Sequence, residues 1–137
     1  MKQLIFLCIL IFNFCNSQQK KNVSISFTTS ESKTGTLYIA VYDNSEKFLQ
    51  TAVARFSTSY SGSKKHFVIK NMGVGKSISV SAYLDENTNA KLDKNFLGIP
   101  LEPYGFSQNA RGSFGPPKFE EASFTVKTNN SITINLK

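Results

Sequence analysis

Two-residue alternation of side-chain character recurs along most of this chain and constrains its fold more than any other feature. Val23, Ile25 and Phe27 alternate with Ser24, Ser26 and Thr28, and Leu37, Ile39 and Val41 alternate with Tyr38, Ala40 and Tyr42. The same rhythm returns in Phe67-Val68-Ile69, in Ile78 to Tyr83, in Phe124 to Lys127 and in Ile132 to Leu136. Successive side chains of a strand point to opposite faces, so each run can bury one face and wet the other. The runs are rich in β-branched and aromatic residues, which suit a pleated, half-buried surface. Ala52 to Phe56 adds a further short run, and Asn44 to Gln50 suits a short helical turn. No longer helical pattern occurs.

The punctuation fits strands joined by turns. Lys33-Thr34-Gly35 separates the first two runs, and Asn71 to Gly75 separates two more. Asn129-Asn130 is expected to join the last two runs as a tight hairpin, because asparagine tolerates the positive φ of such turns. Six to seven short strands without alternating helices predict an all-β fold, a two-sheet antiparallel β-sandwich. One segment breaks the rhythm. Asn95–Glu121 holds all four prolines and four of the eight glycines, so regular pairing is not expected there. A long loop inside a small domain is often functional. Its rings, among them Tyr104, Phe106 and Phe114, admit two readings: a plug over one end of the sandwich, or a surface that stacks on a sugar or a partner chain.

The N-terminus reads as an export signal. Lys2 precedes an apolar run from Leu4 to Phe12, and small and polar residues follow at Cys15-Asn16-Ser17. This order predicts a secretory signal over residues 1–17, with cleavage after Ser17. The run is about half the length that a bilayer span needs, so no transmembrane segment is expected after cleavage. Lipidation of Cys15 is disfavoured by bulky Phe14 just before it. Residues 18–137 then form a single domain that is periplasmic, held at the cell surface or released. Both cysteines, Cys8 and Cys15, leave with the signal, which removes disulfide and thiol chemistry from the mature chain. Lys2 is the one charged residue of that segment, so sixteen basic side chains become fifteen against nine acidic ones, a balance of +6. The basic residues are scattered, with pairs only at Lys20-Lys21 and Lys64-Lys65 among the densest groups. That pattern suits a solvated surface rather than a nucleic-acid interface.

The sharpest chemical clue is Asp85-Glu86-Asn87-Thr88-Asn89-Ala90-Lys91-Leu92-Asp93. Side-chain oxygens at Asp85, Asn87, Asn89 and Asp93 occupy relative positions one, three, five and nine of a calcium loop, and Lys91 can contribute its backbone carbonyl at position seven. Position six is Ala90, where a sharp turn prefers glycine, and position twelve is Phe96, where a bidentate glutamate would sit. Glu102 is the nearest further acid. Such a site would be weak, with a dissociation constant on the order of 0.1–1 mM. The competing reading is a loop in which Asp and Asn side chains bond their own backbone. No catalytic set stands out: His66 is the single histidine, no Gly-x-Ser-x-Gly elbow occurs, and Gly73-Val74-Gly75-Lys76 lacks the rest of a phosphate loop.

Several segments together resemble a bacterial family. Gly35 to Asp43 resembles its early strand, Asp85 to Asp93 its acidic loop, Gly98 to Ala110 its long loop, and Gly115-Pro116-Pro117-Lys118-Phe119 the close of that loop. The family is the one known as domain of unknown function 2141, and the likeness covers nearly all of residues 18–137. Its pattern commonly has glycine where this chain has Ala90. The resemblance implies an exported β-sandwich of prealbumin-like or immunoglobulin-like type and supplies no catalytic residues.

The expected function is a non-enzymatic exported module. In it, Asp85, Asn87, Asn89, Lys91 and Asp93 hold calcium, and Glu102, Tyr104, Phe106 and Phe114 form a surface for a glycan or another envelope protein. Two alternatives stand beside it: a metal-free structural or accessory module of the cell envelope, and a glycan-acting enzyme using carboxylates such as Glu102 and Glu120.

Overall fold

The strands expected from alternation are present, but they are longer and fewer at the start of the chain. The computed structural model describes residues 17–137; the expected export signal lies outside them except for Ser17, and so do both cysteines. The element order is β1 (Lys20–Tyr42), β2 (Ala54–Gly73), β3 (Ser77–Asp85), β4 (Tyr104–Phe106), a 3-10 turn (Ser107–Asn109), α1 (Phe119–Ala122), β5 (Phe124–Thr125) and β6 (Asn130–Asn135). The first two alternating runs are therefore one strand. Lys33-Thr34-Gly35 does not separate them; the pairing of β1 with β2 shifts register between Thr28 and Lys33 instead. Such an irregularity bends a strand without ending it. The run beginning near Ala52 and the run at Phe67–Ile69 are likewise the two halves of β2. The turn expected at 44–50 forms, closed by Gln50 and Thr51 N–H donating to the Lys47 carbonyl at 3.0 and 2.9 Å.

The sheet is mostly antiparallel, in the order β2-β1-β3-β4. Its second half of β1, Thr36 to Tyr42, pairs with β3, and its first half, Val23 to Thr28, pairs with β6. The β1–β6 pairing is parallel, which alternation could not foretell because it is blind to strand direction. The expected hairpin of the last two runs does not form: β5 pairs with the start of β3. At the turn between them, Asn130 Oδ1 accepts the Lys127 N–H at 2.7 Å and its Nδ2 donates to the Lys127 carbonyl at 2.6 Å. Asparagine works here through its side chain, not through a positive φ. Beyond β6, Lys137 exchanges backbone bonds with Tyr104 at 3.0 and 3.1 Å. Hydrogen bonding thus runs from β1 through β3 and β4 to the chain end and back along β6 to β1.

One apolar cluster fills the interior. Val23, Ile25 and Phe27 come from the first half of β1, Leu37, Ile39 and Val41 from the second, and Tyr60 and Ile69 from β2. Ile78, Val80, Ala82 and Leu84 of β3 and Ile134 of β6 complete it with Val126 and Leu136. These are the inward positions of the alternation. Fully burying one such aliphatic or aromatic side chain contributes about 1.5–3 kcal/mol. β2 is the open edge; its Lys64-Lys65 pair sits at mid-strand, where lysine discourages pairing with another chain.

The Pro/Gly-rich segment is not one continuous loop. It contains β4, the 3-10 turn and α1. Ser107 anchors its middle: its Oγ accepts the Val80 N–H at 2.8 Å and donates to the Ala122 carbonyl. No helix among the described residues is long and apolar enough to cross a membrane.

Candidate functional site

The acidic segment is part of a single excursion between two paired strands. β3 ends at Asp85, and the chain returns as β4 with Tyr104 opposite Tyr83. The Leu84 N–H donates to the Pro103 carbonyl at 2.8 Å, which closes the base. Everything from Glu86 to Pro103 projects from this neck. Tyr38 and Tyr83 stack at 5.1 Å on the adjoining surface. Burial pushes the Tyr83 phenol above its ordinary value, and Tyr38, Asp85 and Glu102 push in the same direction against a smaller pull from Arg55.

Within the excursion the acidic loop is held by its own side chains. Asp85 is 1% exposed; its Oδ2 accepts the Ala90 N–H at 2.8 Å, and its Oδ1 is buried with no hydrogen-bond partner. Asn87 Oδ1 accepts the Asn89 N–H at 3.2 Å, and Asn89 Oδ1 accepts the Lys91 N–H at 2.9 Å. These are the Asx-type bonds of the competing reading. The two amide groups then converge on one carboxylate. Asn87 Nδ2 donates to Asp93 Oδ2 at 2.6 Å, and Asn89 Nδ2 donates to Asp93 Oδ1 and Oδ2 at 2.9 and 2.8 Å. Thr88 and Ala90 take left-handed backbone conformations, with φ of 63° and 60°. The turn at position six therefore has the geometry that favours glycine, although alanine occupies it.

Glu102 completes the loop from the far side of the excursion. It is 7% exposed; its Oε1 accepts the Glu86 N–H at 3.0 Å and its Oε2 the Asp93 N–H at 3.1 Å. The acid named from sequence as the nearest additional one does enter the loop, but as a clasp on two backbone donors. Outside the clasp, Lys33 pairs with Glu86 at 3.2 Å. Chemically, the loop offers one buried carboxylate oxygen without a partner and one carboxylate solvated by amides. A hard cation entering here would displace the amide nitrogens and require both amides to turn their oxygens inward. Among the described residues, no group of three or more His, Cys, Asp or Glu side chains is placed to hold a metal.

Between the acidic loop and Glu102 lies a small hairpin that sequence reading passed over. Asn95 builds it. Its Oδ1 accepts the N–H groups of Leu97 and Ile99 at 2.9 and 3.0 Å, and its carbonyl accepts the Gly98 N–H at 2.9 Å. Asn95 N–H donates to the Ile99 carbonyl at 2.9 Å, and Leu101 N–H to the Asp93 carbonyl at 2.8 Å. The signal was readable in principle: Asn95 followed by Gly98 is a side-chain-closed turn.

The residues expected to form a recognition surface are not brought together as one. Glu102 is buried in the clasp, and Phe106 is buried against Phe48 at 6.2 Å. Tyr104 is half-buried, packed edge-on to Phe106 at 6.1 Å with the Arg111 guanidinium 4.9 Å from its ring centre. Phe114 is fully exposed. The plug reading thus describes Phe106 and Phe119, both of which meet Phe48, while Phe114 stands free of it. His66 is exposed, its Nδ1 3.5 Å from Ser26 Oγ. A shallow polar depression lined by Lys21, Asn22, Ser24 and Thr128 to Ser131 includes no residue of the acidic loop.

No curated protein and no solved structure matches this chain. A family described as an uncharacterized protein conserved in bacteria, DUF2141, matches residues 25–135. That span runs from the first half of β1 to the end of β6 and includes the whole acidic excursion, and the chain belongs to this family.

Proposed function

We propose that this chain is an exported, non-enzymatic binding module whose β3–β4 excursion is stiffened by calcium and presents the recognition surface. The observation that carries the calcium reading is the orphaned Asp85 Oδ1. A buried carboxylate oxygen without a donor is costly, and a cation is the partner that would relieve it. Asp93, Asn87 and Asn89 supply the remaining side-chain oxygens and Lys91 a carbonyl, with Glu102 holding the loop shut. The domain's finer architecture on this reading is a two-sheet sandwich of prealbumin-like type, folded where β1 and β2 bend together near Thr28.

The engagement of both Glu102 oxygens by backbone donors weighs against the paired-carboxylate enzyme, since a general acid or nucleophile needs an oxygen free to meet its substrate. The metal-free accessory module remains the rival reading, because the Asx bonds close the loop unaided.

Thermal melting decides between them. With a dissociation constant of about 0.1 mM, about 1 mM calcium stabilises the fold by about 1.4 kcal/mol. That corresponds to a rise of several degrees in a domain of this size. Coincident melts in chelator and in calcium would reject the calcium site.

A further inference from the structure

We propose that the hairpin Lys94–Leu101 is a membrane-docking finger that inserts its apolar tip into the surface of a bilayer containing anionic lipid. Phe96, Leu97, Ile99 and Leu101 are 96, 68, 55 and 67% exposed. Half of the large exposed apolar side chains among the described residues thus fall within six consecutive positions. Exposure this high on near-adjacent residues means that the segment projects, so a flat protein surface could cover only part of it. A fluid acyl boundary can surround all of it.

Two further features favour lipid. Burial of backbone polar groups in a bilayer is costly unless they are bonded internally. The N–H groups of Asn95, Leu97, Gly98, Ile99 and Leu101 have partners within the excursion and Pro100 has no N–H, which leaves the Phe96 N–H as the one tip donor without a protein partner among the described residues. The exposed charges beside the tip that have no ion-pair partner among the described residues are lysines. Lys91 and Lys94 are both exposed beside it, whereas Asp93 is bonded by two amides and Glu86 is paired with Lys33. Apolar side chains flanked by lysines are the composition of segments that lie at the interface of anionic membranes. The inference rests on the excursion being the recognition surface, and it names bilayer lipid as what is recognised. It does not require the loop to hold calcium.

The test is vesicle co-sedimentation with protein beginning at residue 18, which retains every described strand and the whole core. Phosphatidylcholine vesicles with and without phosphatidylglycerol are compared, each in chelator and in calcium. The expected result is binding to the phosphatidylglycerol vesicles. Phe96→Ser with Leu97→Ser weakens it by at least about tenfold, and Lys91→Gln with Lys94→Gln removes the preference for anionic lipid. All three proteins melt alike, and Val53→Ser, at an exposed apolar residue outside the finger, binds as the parent does. The chain has no tryptophan, so Phe96→Trp reports insertion by a blue shift of its emission on these vesicles. Absence of binding, equal binding by the Phe96/Leu97 variant, binding without a blue shift, or a Phe96-dependent dimer in place of vesicle binding would each overturn the proposal. Binding that persists in chelator while the calcium melt fails separates this inference from the metal reading.

Discussion

Gly35 lies against the backbone of Asp85 so closely that a methyl group on Gly35 would overlap the Asp85 carbonyl. The contact joins the bend of β1 to the first residue of the acidic loop, since the next residue, Thr36, is paired with Asp85. Two segments fifty residues apart in sequence are thereby fixed to one another, and the side chain that glycine lacks is what permits it. Gly35→Ala is expected to force β1 and β3 apart at this point. The loss of stability is about 1–3 kcal/mol, as for other overpacked sites. Chemical denaturation of the variant checks it, and an unchanged midpoint would contradict the contact.

Glu102 acts on the loop through two backbone donors, Glu86 and Asp93, which lie on opposite sides of the turn. Charge-assisted bonds of this kind are stronger than neutral ones. Glu102→Gln retains one acceptor and presents an amide N–H to the other donor. It should cost about 1–3 kcal/mol, the range for leaving a buried polar group unsatisfied. Amide hydrogen exchange offers a local readout: the Glu86 and Asp93 N–H groups should lose protection while those of β1 and β2 keep theirs.

Much of the core was legible because burial within a strand is a local, two-residue property. Val23, Ile25, Phe27, Leu37, Ile39 and Val41 are all buried where alternation placed them. Which strand meets which is not local. Nothing in Ile132 to Leu136 announces a parallel partner, and the two alternating runs before and after Thr29–Ser32 look like separate strands until β2 is seen to follow both. The acidic loop was legible as a spacing of oxygens. Its actual bonding was not, because an asparagine can turn either its oxygen or its nitrogen toward Asp93. The role of Glu102 was half visible: proximity in sequence marked it as an available acid, but only the return of the chain as β4 sets its carboxylate across the loop.

Ala90 occupies a left-handed conformation, with φ of 60°, that disfavours a Cβ. Its N–H is also the donor to Asp85, so the strain is held by the same bond that closes the loop. Relief of an L-residue in this conformation is worth about 1–2 kcal/mol, less the greater flexibility that glycine brings to the unfolded chain. Ala90→Gly is therefore expected to raise stability by about 0.5–1 kcal/mol. Equilibrium unfolding in chelator checks this without reference to any metal. A destabilised variant would show that the alanine conformation is unstrained.

Asp85 provides the most discriminating substitution, because its effect should depend on calcium. Without metal, Asp85→Asn keeps one oxygen to accept the Ala90 N–H and replaces the orphaned Oδ1 by an amide group in the same buried space. A charge is removed from a site where it lacks a full set of donors, so the expected change is within about 1 kcal/mol of zero. With calcium, the carboxylate would be the principal anionic ligand at the bottom of the loop, and neutralising it should abolish the rise of about 1.4 kcal/mol expected at about 1 mM calcium. Asp93→Asn differs in sign of context: it deprives Asn87 and Asn89 of a charged acceptor and should lower stability in chelator as well. Melts of the parent and both variants in chelator and in calcium test the pattern together. A calcium-dependent rise that survives Asp85→Asn would place the metal elsewhere, and a variant that loses the rise only through Asp93 would leave the orphaned oxygen without its proposed role.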